Sequence, residues 1–136
     1  MISILPSTPY LQLWRDSTTK PAVIQNRFYA DSAYDVELRA FCREVGIVYT
    51  SFWTLTGNPN ILSHAAMRAI VKRTGRTAAQ CWFRFVQHLG IAPLTGTCSE
   101  QHMREDLQIS EFALTLDEVR SLAALIGEPQ PDALRD

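Results

Sequence analysis

A cation, a phenol and a carboxylate stand within five residues of one another, at Arg27, Tyr29 and Asp31. Together these groups could polarise a carbonyl group and move a proton. An ion pair beside a solvated tyrosine would account for the same residues. Both interpretations stay open from the sequence, and we take the three residues as catalytic candidates.

Three aromatic residues lie in and just after an apolar stretch further along the chain, at Tyr49, Phe52 and Trp53. Phe52 and Trp53 could form the apolar floor of a pocket that binds a planar substrate. Packing in the core is the alternative for both, and it is favoured more for Phe52 than for Trp53. We take all three aromatic residues as candidates for substrate binding.

The stretch TGTCSEQHMRED, residues 95–106, is typical of a loop that leads into a helix. Ser99 suits the N-cap position, and backbone N–H groups at a helix start favour an anion. The loop nevertheless lacks the lysine or arginine that usually binds a phosphate. An ordinary strand-to-helix turn with a serine cap is therefore the alternative, and the sequence slightly favours it.

Helices must position these residues, and two of them carry capping boxes at Thr77–Gln80 and Thr115–Glu118. Apolar periodicity places an inward stripe behind each box, and Gly90 and Gly127 are typical of the ends. Asn58-Pro59 begins a third helix that ends before Gly75. Three more helices are predicted at residues 10–16, 35–44 and 99–107.

Short apolar runs without clean alternation separate the helices, at residues 22–25, 46–50 and 91–94. Such runs suit parallel strands that are covered on both faces. The order β-α-β-α-α-β-α-α predicts an α/β fold. We expect one domain over residues 1–136, with an irregular start at 1–9 and a flexible tail at 128–136.

Composition excludes several classes of function. A formal net charge of −1 gives no reason to expect nucleic acid or an anionic membrane as partner. The start carries no secretory signal, and no apolar run is long enough to cross a bilayer. Three cysteines in no metal-ligand spacing indicate reduced thiols and a cytoplasmic protein. His64 and His88 fall in separate predicted helices, so no metal site is expected.

Several stretches in fixed order resemble the second half of an aldo-keto reductase, from about residue 10 to about residue 126. They are PAVIQN (21–26), ELRAFC (37–42), GIV (46–48), RTAAQ (76–80), LTGT (94–97), REDL (104–107) and FALT (112–115). QNRFYAD and SFWTLTGNP look most like the fungal branch of that family.

The resemblance implies a (β/α)8 barrel, a fold that typically needs about 250 residues. This chain matches only strands six to eight with their helices, so we expect a partial barrel of about three to four parallel strands. Ile2-Ser3 resembles weakly the end of strand five. The family's Asp-Tyr-Lys-His catalytic set belongs to the earlier strands, and no position here matches it.

The resemblance also implies cofactor contacts. Gln25 matches the residue beneath the nicotinamide carboxamide, and Phe52 matches the stacking aromatic. Residues 55–58, including Leu55, match the loop across the pyrophosphate. The remaining cofactor candidates lie where the family has Lys-Ser, arginine and asparagine: Gly96, Thr97, His102 and Asp106. Losing up to two charge-assisted contacts would weaken NADP(H) binding by about two to four orders of magnitude.

A partial barrel leaves sheet edges open, so we expect a homo-oligomer, most simply a dimer. Three functional hypotheses follow for a small-molecule substrate. The favoured one is non-redox cyclisation, isomerisation or dehydration of a secondary metabolite, with no cofactor required. The second is an NADP(H)-dependent oxidoreductase whose proton donor comes from a partner chain. The third is a non-catalytic interaction subunit or a gene fragment.

Overall fold

Three parallel strands form the sheet in the computed structural model, which describes residues 9–134. The strands are β1 (Val23–Arg27), β2 (Val48–Phe52) and β3 (Ala92–Pro93), in the spatial order β1-β2-β3. In the register, Arg27 lies opposite Phe52, and Ser51 lies opposite Pro93. The carboxyl ends of the strands therefore meet at one edge, as predicted for a partial (β/α) barrel.

Seven α-helices connect and cover the strands in the described chain. They are α1 (Pro9–Asp16), α2 (Val36–Val45), α3 (Pro59–Leu62), α4 (Ala65–Thr74), α5 (Ala78–His88), α6 (Glu100–Leu107) and α7 (Leu116–Leu125). Short 3-10 segments span Ala30–Asp35 and Gln108–Glu111. None of the helices in residues 9–134 is both long and apolar enough to span a membrane.

Local sequence accounts for the two best-defined helix starts. At α5, Thr77 Oγ1 accepts from Gln80 N, and Gln80 Oε1 accepts from Thr77 N, each at 3.1 Å. At α7 the same reciprocal pair links Thr115 and Glu118. Both predicted capping boxes are confirmed, because each pair satisfies N–H groups that the helix itself leaves free.

The single helix predicted between Asn58 and Gly75 is wrong, since the chain forms two helices there. His64 caps the second one, because its Nδ1 accepts a hydrogen bond from Ala66 N at 3.1 Å. The backbone of His64 is extended (φ −70°, ψ 150°), which ends the first helix. The placement of His64 inside a helix is corrected in the same way.

One face of the sheet is buried under the helices and the other face is open. Ile24, Tyr49 and Ser51 point into the core, where Trp82 of α5 is completely buried. On the opposite face Val23 and Val48 are 55% and 51% exposed. The prediction that the strands are covered on both faces is therefore wrong, and the open face is the side that would line a closed barrel.

The segment after α7 contacts the helical layer. Arg39 of α2 is buried and forms an ion pair with Glu128, with Nη1 and Oε1 3.2 Å apart. Arg120 Nε also donates to the carbonyl of Pro131 at 3.0 Å. The flexibility of the tail from residue 128 stays a prediction. These contacts attach Glu128 and Pro131 to the helical layer. The irregular start at residues 1–8, with Ile2-Ser3, lies outside the described residues.

Candidate functional site

Two adjoining cavities lie at the carboxyl ends of β2 and β3. The first has a volume of about 420 Å³ and is lined by Phe52, Trp53, Thr54, Leu55, Thr56, Phe83, Leu94, Thr95 and Gly96. The second, of about 510 Å³, is lined by Phe83, Gln87, Ala92, Pro93, Thr95, Thr97, Met103, Asp106, Leu107 and Ile109. Phe83 and Thr95 line both, so the two cavities are neighbours, and we call them together the groove.

The loop after β2 supplies the aromatic wall of this groove. Phe52 is half-buried, whereas Trp53 is 52% exposed and has a left-handed backbone with φ of 57°. Gly57 N donates to Trp53 O at 2.8 Å, which closes a tight turn. A Cβ atom at Gly57 would lie only 2.8 Å from that same oxygen, so the turn requires glycine.

A buried side chain holds the turn in place. Asn58 is fully buried, and its Nδ2 donates to the carbonyls of Phe28 at 2.8 Å and Thr54 at 3.0 Å. Tyr34 Oη donates to Asn58 Oδ1 at 2.7 Å, and Trp82 Nε1 donates to Thr54 O at 2.7 Å. These bonds tie the turn to the end of β1 and to α5, which rigidifies it.

The loop after β3 closes on α6 with its own polar groups. Ser99 is the N-cap of α6, since its Oγ accepts from His102 N at 3.3 Å. Thr95 Oγ1 donates to Asp106 Oδ2 at 2.6 Å. Of the described residues that line the two cavities, none is a lysine, arginine or histidine. The groove therefore offers hydroxyl groups and a carboxylate, and it lacks a side-chain cation.

The catalytic candidates are only partly brought together. Arg27 stacks on aromatic rings at the end of β1, with its guanidinium carbon 5.2 Å from the ring centroid of Tyr29. Asp31 is exposed, and within residues 9–134 no ion pair joins it to Arg27. The simple ion pair that the sequence offered as an alternative is not what the described structure shows.

Tyr49 is misplaced as a substrate-binding candidate. It is 3% exposed and points to the helical side of the sheet, because strand residues alternate between faces. Its hydroxyl donates to Asp35 Oδ2 at 2.6 Å, and Asn26 Nδ2 donates to the same oxygen at 2.6 Å. Burial raises the pKa of Tyr49 well above its ordinary value, and the Asp35 hydrogen bond raises it further.

The predicted cofactor residues divide into three groups. Phe52, Leu55 and Gly96 line the first cavity, and Thr97 and Asp106 line the second. Gln25 and His102 are exposed and line neither cavity in the described chain. The alternation of β1 places Gln25 on the open face of the sheet, together with Val23.

Sequence reasoning missed Phe83 and Trp82 as residues of the site, and it placed Asn58 only by resemblance, in the loop across the pyrophosphate. Phe83 lines both cavities, and Trp82 and Asn58 anchor the turn after β2. Trp82 belongs to the predicted apolar stripe of α5, where the pattern indicates only core, and Phe83 lies outside that stripe. The proline after Asn58 marked a helix start and gave no signal that the asparagine itself is fully buried.

The histidines do not form a site. His64 caps α4, and His88 is buried at the end of α5, where its Nε2 accepts from Leu114 N at 3.4 Å. Among residues 9–134 no group of three or more histidine, cysteine or acidic side chains is arranged to hold a metal ion.

Comparison with known proteins identifies the relatives of this fold. No protein-family model matches the chain. An aldo-keto reductase from Mycolicibacterium vanbaalenii is 34% identical over 89 residues, which are 65% of this chain and 32% of that protein. The chain thus spans about a third of the length of the curated relatives that it matches.

Solved structures agree in fold. The aldo-keto reductase of the silkworm Bombyx mori superposes with a TM-score of 0.73 and 22% identity, over 85% of this chain and 37% of that one. A mutant of Gox0644 in complex with NADPH gives a TM-score of 0.78 and 21% identity, over 89% of this chain and 44% of that one. This chain is a relative of the aldo-keto reductases and matches part of their (β/α) barrel.

Proposed function

We propose that this chain forms the NADP(H)-binding end of an aldo-keto-reductase-type barrel and so serves an oxidoreductase. The observation that carries the proposal is the groove of two neighbouring cavities at the carboxyl ends of β2 and β3. Ligands of α/β barrels bind at this end of the strands. A dinucleotide is a long ligand with two ring systems, and two neighbouring cavities suit its shape better than one pocket would.

The lining residues fit such a cofactor unevenly. Phe52 offers an aromatic face to the nicotinamide, and the turn containing Leu55 borders the same cavity. At the other end, Thr97 and Asp106 would meet the adenosine part. Asp106 repels a phosphate, and no cation lines the groove in the described chain, so we propose that NADP(H) binds weakly.

Bound NADPH would supply the hydride for reduction of a carbonyl group. A proton must then also reach the carbonyl oxygen. The hydroxyls of Tyr34 and Tyr49 are engaged with Asn58 and Asp35, and both rings are buried. Tyr29 is half-buried at the correct end of β1, and we propose it as the proton donor.

Non-redox conversion by Arg27, Tyr29 and Asp31 is the competing proposal. It needs the Asp31 carboxylate close to the other two groups. In residues 9–134 no hydrogen bond or ion pair joins Asp31 to either of them, and Asp31 is exposed. The relatives named above are reductases, which also favours the cofactor-binding proposal.

Titration with NADPH, followed by tryptophan fluorescence, tests the proposal. Trp53 is exposed and lines the groove, so bound cofactor should quench it, and Trp53→Phe should remove most of the signal. We expect Phe52→Ala to weaken NADPH binding about tenfold, since it removes the stacking ring. Phe112→Ala, a half-buried phenylalanine that does not line the groove, is the matched control.

Absence of quenching at millimolar NADPH would contradict the proposal and favour the non-redox alternative. In that case Tyr29→Phe and Asp31→Ala should both abolish the non-redox conversion of the substrate. If NADPH does bind, Tyr29→Phe should lower the reduction rate and leave the affinity for NADPH unchanged.

A further inference from the structure

The second cavity of the groove carries a carboxylate and no side-chain cation. Asp106 is half-buried and lines this cavity together with Thr97, and none of the described residues that line either cavity is a lysine, arginine or histidine. Arg104, the one arginine of α6, is exposed, and its Nε donates to Glu100 Oε1 at 3.1 Å. An anionic group that enters the cavity therefore meets a negative charge without a compensating positive one.

Hydroxyl groups of the chain itself already bind two N–H groups at the start of α6. Ser99 N donates to Thr97 Oγ1 at 3.0 Å, and His102 N donates to Ser99 Oγ at 3.3 Å. Glu100 adds an acidic side chain to the first turn of the helix. Free N–H groups at a helix start are what binds a phosphate there, and these two are already satisfied.

Asp106 can still accept a hydrogen bond from a neutral ligand group. Its Oδ2 accepts from Thr95 Oγ1 at 2.6 Å, and an ionised carboxylate has about four acceptor positions on its two oxygens. In other dinucleotide-binding folds, a carboxylate accepts from the 2′-hydroxyl of the adenosine ribose of NAD. A planar base suits the apolar part of the same cavity lining. That part consists of Phe83, Ala92, Pro93, Met103, Leu107 and Ile109.

We propose that the groove binds NAD(H) in preference to NADP(H), and that Asp106 determines this specificity. NADP(H) carries a phosphate on the 2′ oxygen of the adenosine ribose, where NAD(H) has a hydroxyl. The Asp106 carboxylate accepts from a hydroxyl and repels a phosphate. This inference rests on the proposed function, because it names the form of the cofactor that the same groove prefers.

Fluorescence titration of the full chain with NADH and with NADPH tests the proposal. The two cofactors share the reduced nicotinamide, so quenching of Trp53 reports both affinities through the same signal. We expect NADH to bind about tenfold more tightly than NADPH at low salt, because only NADPH brings a phosphate towards Asp106. The ratio of the two affinities should fall towards one at molar salt, where the repulsion is screened.

Asp106→Asn removes the charge and keeps a side-chain oxygen that accepts hydrogen bonds. It should raise the affinity for NADPH about tenfold and change the affinity for NADH little. Glu105→Gln is the matched control, because it removes the same charge from the preceding, half-buried residue of α6, which lines neither cavity. It should leave the ratio of the two affinities unchanged. Equal losses of both affinities in Asp106→Asn would assign Asp106 a purely structural role and overturn the proposal.

The wild-type titrations also separate this inference from the proposed function. An affinity for NADPH equal to or above that for NADH overturns this inference and leaves the proposed function standing. Binding of NADH alone supports this inference and overturns NADP(H) as the cofactor of the proposed function. Binding of neither cofactor overturns both.

Discussion

At the scale of single residues, the groove differs from a phosphate site mainly in charge. Asp106 lines the cavity and accepts a hydrogen bond from Thr95, and His102 lies exposed one helical turn before it. In the aldo-keto reductases that the chain resembles, asparagine stands at the position of Asp106 and arginine at the position of His102. Asp106 keeps a side-chain oxygen that accepts a hydrogen bond, whereas its negative charge disfavours a phosphate group.

Restoring the cation should strengthen binding of the phosphorylated cofactor. We expect His102→Arg to raise NADPH affinity about tenfold through one charge-assisted contact, and to leave NADH affinity unchanged. Fluorescence titration with both cofactors measures this. Gln101→Arg places the same charge at the preceding exposed position as a control. Equal gains for NADPH and NADH would show that the added charge acts without recognising the extra phosphate.

At the scale of elements, the turn between β2 and α3 is the part that the tertiary structure positions most firmly. Asn58 is the centre of its anchoring, because it joins the end of β1, the turn and the Tyr34 hydroxyl. Burial raises the pKa of Tyr34, so this phenol stays neutral and continues to donate to Asn58.

Removing this anchor should destabilise the protein strongly. Asn58→Ala eliminates three buried hydrogen bonds and leaves their partners unsatisfied, so we expect the free energy of unfolding to fall by about 3 kcal/mol. Urea denaturation measures the change. Asn60→Ala, at an exposed position in α3, should change it by less than about 0.5 kcal/mol. Similar small effects for both variants would show that the turn does not depend on Asn58.

At the scale of the whole molecule, the sheet is left incomplete. Three strands cannot close a barrel, and in the described chain the outer edges of β1 and β3 have no strand partner. Val23 and Val48 lie opposite each other on the open face. We propose that a second copy covers this face, since a two-fold axis along the strands would pair β1 of each copy in parallel with β3 of the other.

A charged side chain introduced on the open face of the sheet should dissociate the proposed dimer. Sedimentation velocity should find a dimer at micromolar concentration, and Val48→Lys should shift it towards monomer because the lysine would be buried without a partner. Leu107→Lys, on the most exposed large hydrophobic residue of the described chain, should not. A wild-type chain that stays monomeric at micromolar concentration contradicts this arrangement.

Local sequence determined most of the elements of this protein and its relationship to the aldo-keto reductases. Reciprocal capping at Thr77 and Thr115 acts over three residues, so the starts of α5 and α7 could be predicted without any tertiary information. The ordered motifs identified the aldo-keto reductase relationship and the parallel α/β fold. The fungal branch stays a prediction.

Only the tertiary structure decided which side chains reach the groove. The alternation of β2 sends Tyr49 into the core and Phe52 towards the groove, and the sequence does not specify which face the helices cover. Asn58 and Phe83 enter the site through contacts between residues far apart in the chain. The burial of Arg27 Nε without a hydrogen-bond partner is likewise a property of packing, because it arises only once the surrounding rings are in place.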